Sequence, residues 1–150
     1  MNNKILRKAI EEAKKGVELG DGGPFGAVII DSNGDIVSIS HNMVLKEKDP
    51  TAHAEITAIR EACKIKDTHD LSDCTIYSSC EPCPMCLSAI IWSNINTVYY
   101  SSTRKDAASV GFKDDFIYDY LAGKNNILKK ERIIDNECDE VLKNYDKEIY

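Results

Sequence analysis

The segment Ser79-Cys80-Glu81-Pro82-Cys83-Pro84-Met85-Cys86 lies between two runs of contrasting character. Before it, Thr75 to Ser79 is typical of a short β-strand, and after it an apolar helical run continues to about Trp92. A third run, around Thr97 to Ser101, is again β-like. A strand, a helix and a second strand in this order predict a parallel pair joined by a right-handed crossover. The helix is apolar on nearly every side, which predicts that it is buried.

The N-terminal part of the chain predicts a helix followed by a hairpin. Apolar residues recur there at helical spacing, at Leu6, Ile10, Ala13 and Val17. The glycines at 16 and at 20, 22 and 23 are expected to close this helix. Phe25 to Ile30 and Ile36 to Ser40 then predict two antiparallel strands. Asn33-Gly34 between them is expected to supply the positive φ angles of a tight turn.

A second helix is predicted from about Ala52 to Lys64, with Thr51 or Asp49 available to cap its free N–H groups. Residues 105–120 indicate an irregular or partly helical segment, and apolar residues from Cys138 to Ile149 recur at helical spacing. Helices alternating with β-rich runs predict an α/β fold.

Length and charge limit the classes of function. At 150 residues the chain is expected to form a single domain spanning 1–150. The formal net charge of -6 argues against a nucleic-acid partner, because phosphate-binding surfaces gather Lys and Arg. Neither an export signal nor a membrane-spanning stretch is evident, so we expect no membrane association and a cytoplasmic location. The six cysteines are then expected to remain reduced.

The strongest chemical signal is His53-Ala54-Glu55 combined with Pro82-Cys83-Pro84-Met85-Cys86. Each group stands at a predicted helix start, where unpaired N–H groups favour thiolates and other anions. His53, Cys83 and Cys86 are predicted to bind zinc, and three protein ligands leave one tetrahedral position open for water. Glu55 is predicted to be the proton carrier, taking a proton from that water and delivering it to the substrate.

Other readings of the same residues are weaker. Cys80, Cys83 and Cys86 are evenly spaced, as in an iron–sulfur motif, but the expected fourth cysteine position holds Ile90. Cys80 is therefore placed at a strand end beside the site. His41 and His69 lack neighbouring ligand residues in the sequence, and we assign both to ordinary surface or hairpin roles.

Asp49 to Glu55 and Ser79 to Cys86 together resemble the cytidine deaminase-like superfamily. The fold that this resemblance implies is a three-layer α/β/α sandwich with a mixed central sheet. Within the superfamily the chain is most similar to the bacterial guanine deaminases, from Gly22 to Val28 almost to its C-terminus. The resemblance implies attack of water on C2 of guanine, releasing ammonia and leaving xanthine.

The resemblance also implies substrate-binding residues. Asn42 matches an asparagine that contacts the purine, and Asp114 matches a substrate-recognising aspartate. Phe25 and Trp92 match aromatic pocket positions, for which core packing is the alternative, and Tyr150 matches a C-terminal tyrosine that covers the partner's active site.

The family further implies one Zn²⁺ per subunit and a homodimer, in which a C-terminal segment of about 124–150 is exchanged between subunits. A hinge is expected at 123–126, although the segment is shorter and richer in lysine than the family pattern.

Several alternatives remain open from the residues. The zinc motif is shared with tRNA adenosine deaminases and with deaminases of cytosine, other small amino-heterocycles or purine nucleosides. A zinc-stabilised interaction module without catalysis is the alternative from another class, but its metal would normally have four protein ligands.

Overall fold

The computed structural model describes residues 2–150, which divide into one unit of residues 2–114 and another of residues 115–150. The first unit holds the elements α1 (Asn3–Leu19), β1 (Gly26–Ile30), β2 (Ile36–His41), α2 (Val44–Glu47), α3 (Ala54–Lys66), β3 (Thr75–Cys80), α4 (Pro84–Trp92), β4 (Val98–Ser102) and α5 (Arg104–Ser109). The second unit holds α6 (Asp115–Leu121) and α7 (Asn136–Lys143).

The four strands form one sheet in the order β2-β1-β3-β4. Strand β1 is antiparallel to both β2 and β3, and β3 is parallel to β4, so the sheet is mixed. The predicted hairpin and the predicted parallel crossover are both confirmed. Because α4 joins β3 to β4, the cysteine segment lies where the crossover leaves the sheet.

Helices cover the two faces of the sheet, because successive strand residues point to opposite sides. On the α1 face, the buried cluster consists of Ile5, Ala9, Val28 and Tyr77. On the other face, strand and α3 side chains form the larger cluster, including Ala27, Ile29, Ile76, Ala54 and Ala58. The predicted three-layer α/β/α sandwich is confirmed.

Local details differ from the sequence prediction at two glycines. Helix α1 continues through Gly16 and ends at Gly20, whose left-handed φ of 71° closes it. In the hairpin only Gly34 has a positive φ, of 86°, so the predicted two-residue turn is wrong. A wider loop replaces it, in which the Asp31 carboxylate accepts the N–H groups of Asn33 and Asp35.

Helix α4 is less buried than its composition predicts. Pro84, Cys86 and Ile90 are buried, whereas Ile91 and Trp92 are 68% and 67% exposed. The prediction of burial on all sides is therefore wrong for one face, since a single layer of neighbours can cover only part of a helix.

Residues 115–150 contain no buried residue. Helix α7 starts after Asp135, whose carboxylate accepts the N–H of Glu137, and it ends at Lys143. The predicted continuation to Ile149 is wrong, because the helix stops at Asn144, a residue with low helix propensity. Among the described residues no helix has both the length and the apolar character to cross a bilayer.

Candidate active site

His53 and Cys83 occupy the same position on two different helices. His53 is the N-cap of α3 and Cys83 is the N-cap of α4, and both have extended backbones with ψ near 157° and 170°. Neither side chain makes a capping hydrogen bond to its own helix. Both side chains are therefore free to point away from their helices, and the positive ends of two helix dipoles meet beside them.

The predicted N-caps of α3, Thr51 and Asp49, serve another purpose. The Asp49 carboxylate accepts hydrogen bonds from both the N–H and the hydroxyl of Thr51, which shapes the loop before the helix. The capping prediction is wrong because this loop extends the chain far enough to make His53 the first flanking residue.

Three potential metal ligands converge at the meeting point of the helices. The Nδ1 atom of His53 lies 3.6 Å from Sγ of Cys83 and 3.5 Å from Sγ of Cys86. All three ligand atoms lie within 4.8 Å of one another. Two residues, Pro84 and Met85, separate Cys83 from Cys86, so one helical turn supplies both sulfur atoms.

These distances fit a tetrahedral zinc ion. Zinc bound at ordinary Zn–S and Zn–N lengths separates a sulfur from a nitrogen ligand by about 3.6 Å. The observed nitrogen–sulfur distances have this value within 0.1 Å. Within residues 2–150 the ligand group contains no fourth His, Cys or carboxylate, so one tetrahedral position is left for a small molecule.

The thiols of the group differ in their protonation. The hydrogen bond from Cys86, together with that from His53, lowers the pKa of Cys83 to about 4, although burial opposes this change. The bond to Cys83 and the burial beside Glu55 raise the pKa of Cys86. The hydrogen bond to Cys83 raises the pKa of His53. The surroundings thus favour the thiolate form at Cys83 over Cys86.

Glu55 stands directly beside the ligand group and is 5% exposed. Its Oε2 atom lies 3.2 Å from Sγ of Cys86, and its Oε1 atom accepts a 2.7 Å hydrogen bond from the Ser78 hydroxyl. Ser78 lies on β3 and is fully buried. One carboxylate oxygen is therefore fixed by the sheet while the other faces the potential metal position.

Asn42 lies immediately after β2. The N–H of Met43 donates to the carbonyl of Ala52, which ties this segment to the residue before His53. The Oδ1 atom of Asn42 accepts the N–H groups of Gly23 and Val44, at 3.3 and 3.1 Å. The side-chain oxygen of Asn42 thus accepts two hydrogen bonds from the backbone.

Asp114 is held by an arginine. Both of its carboxylate oxygens accept from Nε of Arg104, at 2.9 and 3.1 Å. The backbone N–H of Arg104 in turn donates to Glu81, two residues before Cys83. This chain of contacts connects the predicted substrate-recognising aspartate to the cysteine segment.

The predicted pocket aromatics have different positions. The half-buried Phe25 packs edge-on against Phe112, with ring centroids 5.0 Å apart, and its backbone carbonyl accepts the N–H of Asn42. Trp92 lies at the opposite end of α4 from Cys83, about 13 Å along the helix axis. Within one chain Trp92 therefore does not join the ligand group. Tyr150 belongs to the unit of residues 115–150 and is 77% exposed.

Cys80 is not part of the ligand group. Its thiol donates to the carbonyl of Thr103, and burial raises its pKa to about 11, so it remains protonated. It lines a cavity of about 580 Å³ together with Phe25. The remaining walls of the cavity come from α1, the ends of β3 and β4, and α5. The iron–sulfur reading thus lacks its third thiolate.

Sequence reasoning missed Ser78, Arg104 and the environment of His41. Ser78 could have been found, because it is a polar residue on the strand face that also carries Ile76 and therefore faces α3. Nothing in the sequence marks Arg104 as the partner of Asp114. His41 was assigned to an ordinary surface or hairpin role, but it is buried at 8% exposure between two carboxylates.

The family model of the cytidine and deoxycytidylate deaminase zinc-binding region matches residues 1–102, which include all three ligands and Glu55. The chain belongs to this family of zinc-dependent hydrolytic deaminases.

Among its relatives, the guanine deaminase of Bacillus subtilis is 52% identical over 114 residues, which cover 76% of this chain and 72% of that protein. The tRNA-specific adenosine deaminase of Aquifex aeolicus is 44% identical over 106 residues, covering 71% and 69%.

Solved structures of guanine deaminases are also similar to this chain. The crystal structure of the Bacillus subtilis guanine deaminase superposes with a TM-score of 0.91 and 40% identity, over 100% of this chain and 99% of that one. The identity is lower than the 52% of the sequence comparison because the superposition also includes less similar residues outside the 114. The guanine deaminase of Nitrosomonas europaea gives a TM-score of 0.69 and 31% identity, over 73% and 63%.

Proposed function

We propose that this chain catalyses the zinc-dependent hydrolytic deamination of guanine to xanthine and ammonia. The observation that carries the proposal is the meeting of His53, Cys83 and Cys86 at zinc-ligand distances with a buried Glu55 carboxylate 3.2 Å from Cys86. An ion with three protein ligands and a neighbouring acid suits hydrolysis better than a purely structural role.

His53, Cys83 and Cys86 would hold one zinc ion per subunit. When bound, zinc supplies the Lewis acidity that makes water nucleophilic at neutral pH. Glu55 would accept a proton from the attacking water at Oε2 and deliver it to a ring nitrogen of the substrate. It would then carry the proton of the hydroxyl group formed on C2 to the amino group, so that the C2–N bond breaks, C2 keeps the oxygen as a carbonyl, and ammonia leaves. Ser78 keeps Oε1 occupied throughout, so each transfer starts from the same carboxylate orientation.

Recognition of the base would come from side chains around this centre. The Asn42 NH₂ group is oriented as a donor, because the Asn42 oxygen is held by two backbone N–H groups. Asp114 would accept from ring N–H groups of the purine, with Arg104 fixing its direction. Phe25, already packed against Phe112, offers an aromatic surface for stacking on a planar base.

The alternative of a tRNA adenosine deaminase is less well supported. The net charge of -6 is unfavourable for a phosphate-rich partner. A tRNA:A34 deaminase structure superposes with a TM-score of 0.65 over 68% of the chain, whereas the guanine deaminase structure superposes over its full length.

A homodimer with an exchanged C-terminal segment forms part of the proposal. Large apolar side chains of residues 115–150 are exposed within the single chain, among them Ile133 at 91%, Leu142 at 75% and Ile149 at 82%. An exposed apolar surface of this kind marks an interface with another chain. Gly123, with a left-handed φ of 75°, is the expected hinge, and Tyr150 would then cover the partner's pocket.

The substrate is tested with the purified zinc-loaded protein and a panel of guanine, guanosine, adenine, cytosine and tRNA. Ammonia release is measured for each, and zinc is quantified per chain. We expect one zinc ion per chain and the highest kcat/KM on guanine. Preferential turnover of tRNA, cytosine or a nucleoside would reject the guanine assignment, and a zinc-loaded protein inactive on every substrate would favour the interaction module.

A further inference from the structure

Glu12, His41 and Asp21 form a buried polar group that the deamination chemistry does not use. The Nδ1 atom of His41 lies 2.7 Å from Oε1 of Glu12, and its Nε2 atom lies 2.7 Å from Oδ2 of Asp21. Glu12 comes from α1, His41 is the last residue of β2, and Asp21 lies in the loop between α1 and β1. The group therefore joins three separate parts of the fold through a single imidazole ring.

Both hydrogen bonds require a proton, since neither an ionised carboxylate nor an unprotonated ring nitrogen can donate. Each of the two short bonds therefore holds a proton between the imidazole ring and a carboxylate. Lys15 lies 3.7 Å from Glu12 and Lys46 lies 3.9 Å from Asp21, at the outer edge of the group. Short charge-assisted bonds of this kind are stronger and more directional than neutral ones.

The same loop holds the side chain of Asn42. Beyond Asp21, the N–H of Gly23 donates to Oδ1 of Asn42, and the Asp21 carbonyl accepts the N–H groups of Leu45 and Lys46. A Cβ atom at Gly22 would lie 2.1 Å from the same Oδ1. The loop thus packs against the Asn42 oxygen so closely that no side chain fits at position 22.

We propose that Glu12, His41 and Asp21 are positioning residues that set the direction of the Asn42 amide toward the substrate. His41 is bonded directly to Asn42 along the chain, and its ring fixes the loop whose Gly23 N–H fixes the Asn42 oxygen. Loosening either carboxylate bond frees this loop and with it the NH₂ donor. The inference rests on the proposed function, in which Asn42 binds the purine.

The test compares His41→Gln, Asp21→Asn and Glu12→Gln with wild type and with Glu11→Gln, an exposed neighbour on the same helix that serves as the matched control. We expect each of the three variants to raise KM for guanine about tenfold and to change kcat less than about twofold. Glu11→Gln should match wild type. Thermal unfolding and zinc content identify any variant that fails to fold, and Glu12→Gln, which retains an acceptor oxygen, is the mildest.

A double-mutant cycle with Asn42→Ala separates positioning from general structure. If His41 acts through Asn42, adding His41→Gln to Asn42→Ala raises KM no further, whereas independent effects multiply. Multiplying effects, or an unchanged KM in all three variants, would overturn the inference.

An NMR measurement that does not depend on turnover tests the positioning role even if guanine is not the substrate. The side-chain amide signals of Asn42 are assigned in an NMR spectrum by their absence in Asn42→Ala. They should shift in His41→Gln and Asp21→Asn and stay in place in Glu11→Gln. Unshifted signals reject the positioning role, whereas shifted signals in a protein that deaminates nothing reject only the proposed function.

Discussion

Residues 2–114 and residues 115–150 differ in the extent to which they bury their apolar side chains. The first unit buries two clusters around a four-stranded sheet and brings the potential metal ligands and Glu55 together. The second unit buries nothing and exposes most of its large apolar residues. The difference places the potential metal ligands in one compact unit, and it supports the proposed exchange of the C-terminal segment between subunits.

The sharpest test of the self-contained chemistry is Glu55→Gln. The amide keeps the size of the side chain and an acceptor for Ser78, but it cannot carry a proton. We expect turnover to fall by about 10³-fold with the zinc content unchanged. Ammonia release and metal analysis on the same preparation measure both. Loss of zinc would show instead that Glu55 is a structural part of the metal site.

Removing residues 115–150 tests whether the C-terminal segment is needed for activity and for the dimer. A chain ending at Asp114 is expected to fold cooperatively and to bind zinc, because both buried clusters and all three ligands lie within it. It should be monomeric in sedimentation, and its guanine turnover should fall by about 10²-fold, because it lacks the segment proposed to cover the partner's pocket. The proposed dimer would be contradicted if the wild-type protein sedimented as a monomer and were no more active than the shortened chain.

Asp114→Asn tests the proposed recognition of the base by the last residue of the first unit. An amide in place of the carboxylate weakens charge-assisted hydrogen bonds both to Arg104 and to the base. We expect kcat/KM for guanine to fall about 30-fold. Asp35→Asn, an exposed acid in the hairpin loop, is the control and should have no effect. If the two variants behave alike, Asp114 is no more than a surface partner of Arg104.

Ser78→Ala is the smallest change and tests how firmly the sheet holds Glu55. Removing one hydroxyl leaves Oε1 unpaired, and we expect kcat to fall about tenfold. Ser38→Ala on β2 is matched, since its buried hydroxyl donates to the carbonyl of Ala58 on α3 without touching the site. Both variants should lose about 1 kcal/mol of unfolding free energy, but only Ser78→Ala should lose kcat. Equal kcat values would remove Ser78 from the catalytic arrangement.

The sequence was most informative where function depends on short spacing. The interval between Cys83 and Cys86 is close to one helical turn, so the ligand pair and its helix could be predicted together. Helical and apolar runs likewise predicted α1, α3 and α4, and β-rich runs predicted the four strands, whereas the short helix α2 was not predicted. The family resemblance supplied the three-layer fold that joins them.

The sequence was least informative where function depends on distant partners. His41 bonds to residues 20 and 29 positions away, and Ser78 to one 23 positions away, and no local pattern encodes such pairs. The exposed face of α4 was missed for a related reason. Composition reports how apolar a helix is, but only packing determines which of its sides are covered.

Gly16 carries a consequence for how this protein can diverge. It lies inside α1, where glycine costs about 1 kcal/mol relative to alanine. A Cβ atom there would lie 2.6 Å from Cδ2 of the His41 ring, so the ordinary helix-forming residue is excluded while the imidazole is present. Substitutions at positions 16 and 41 are therefore coupled. We expect alanine at position 16 only in related proteins in which a smaller residue has replaced His41.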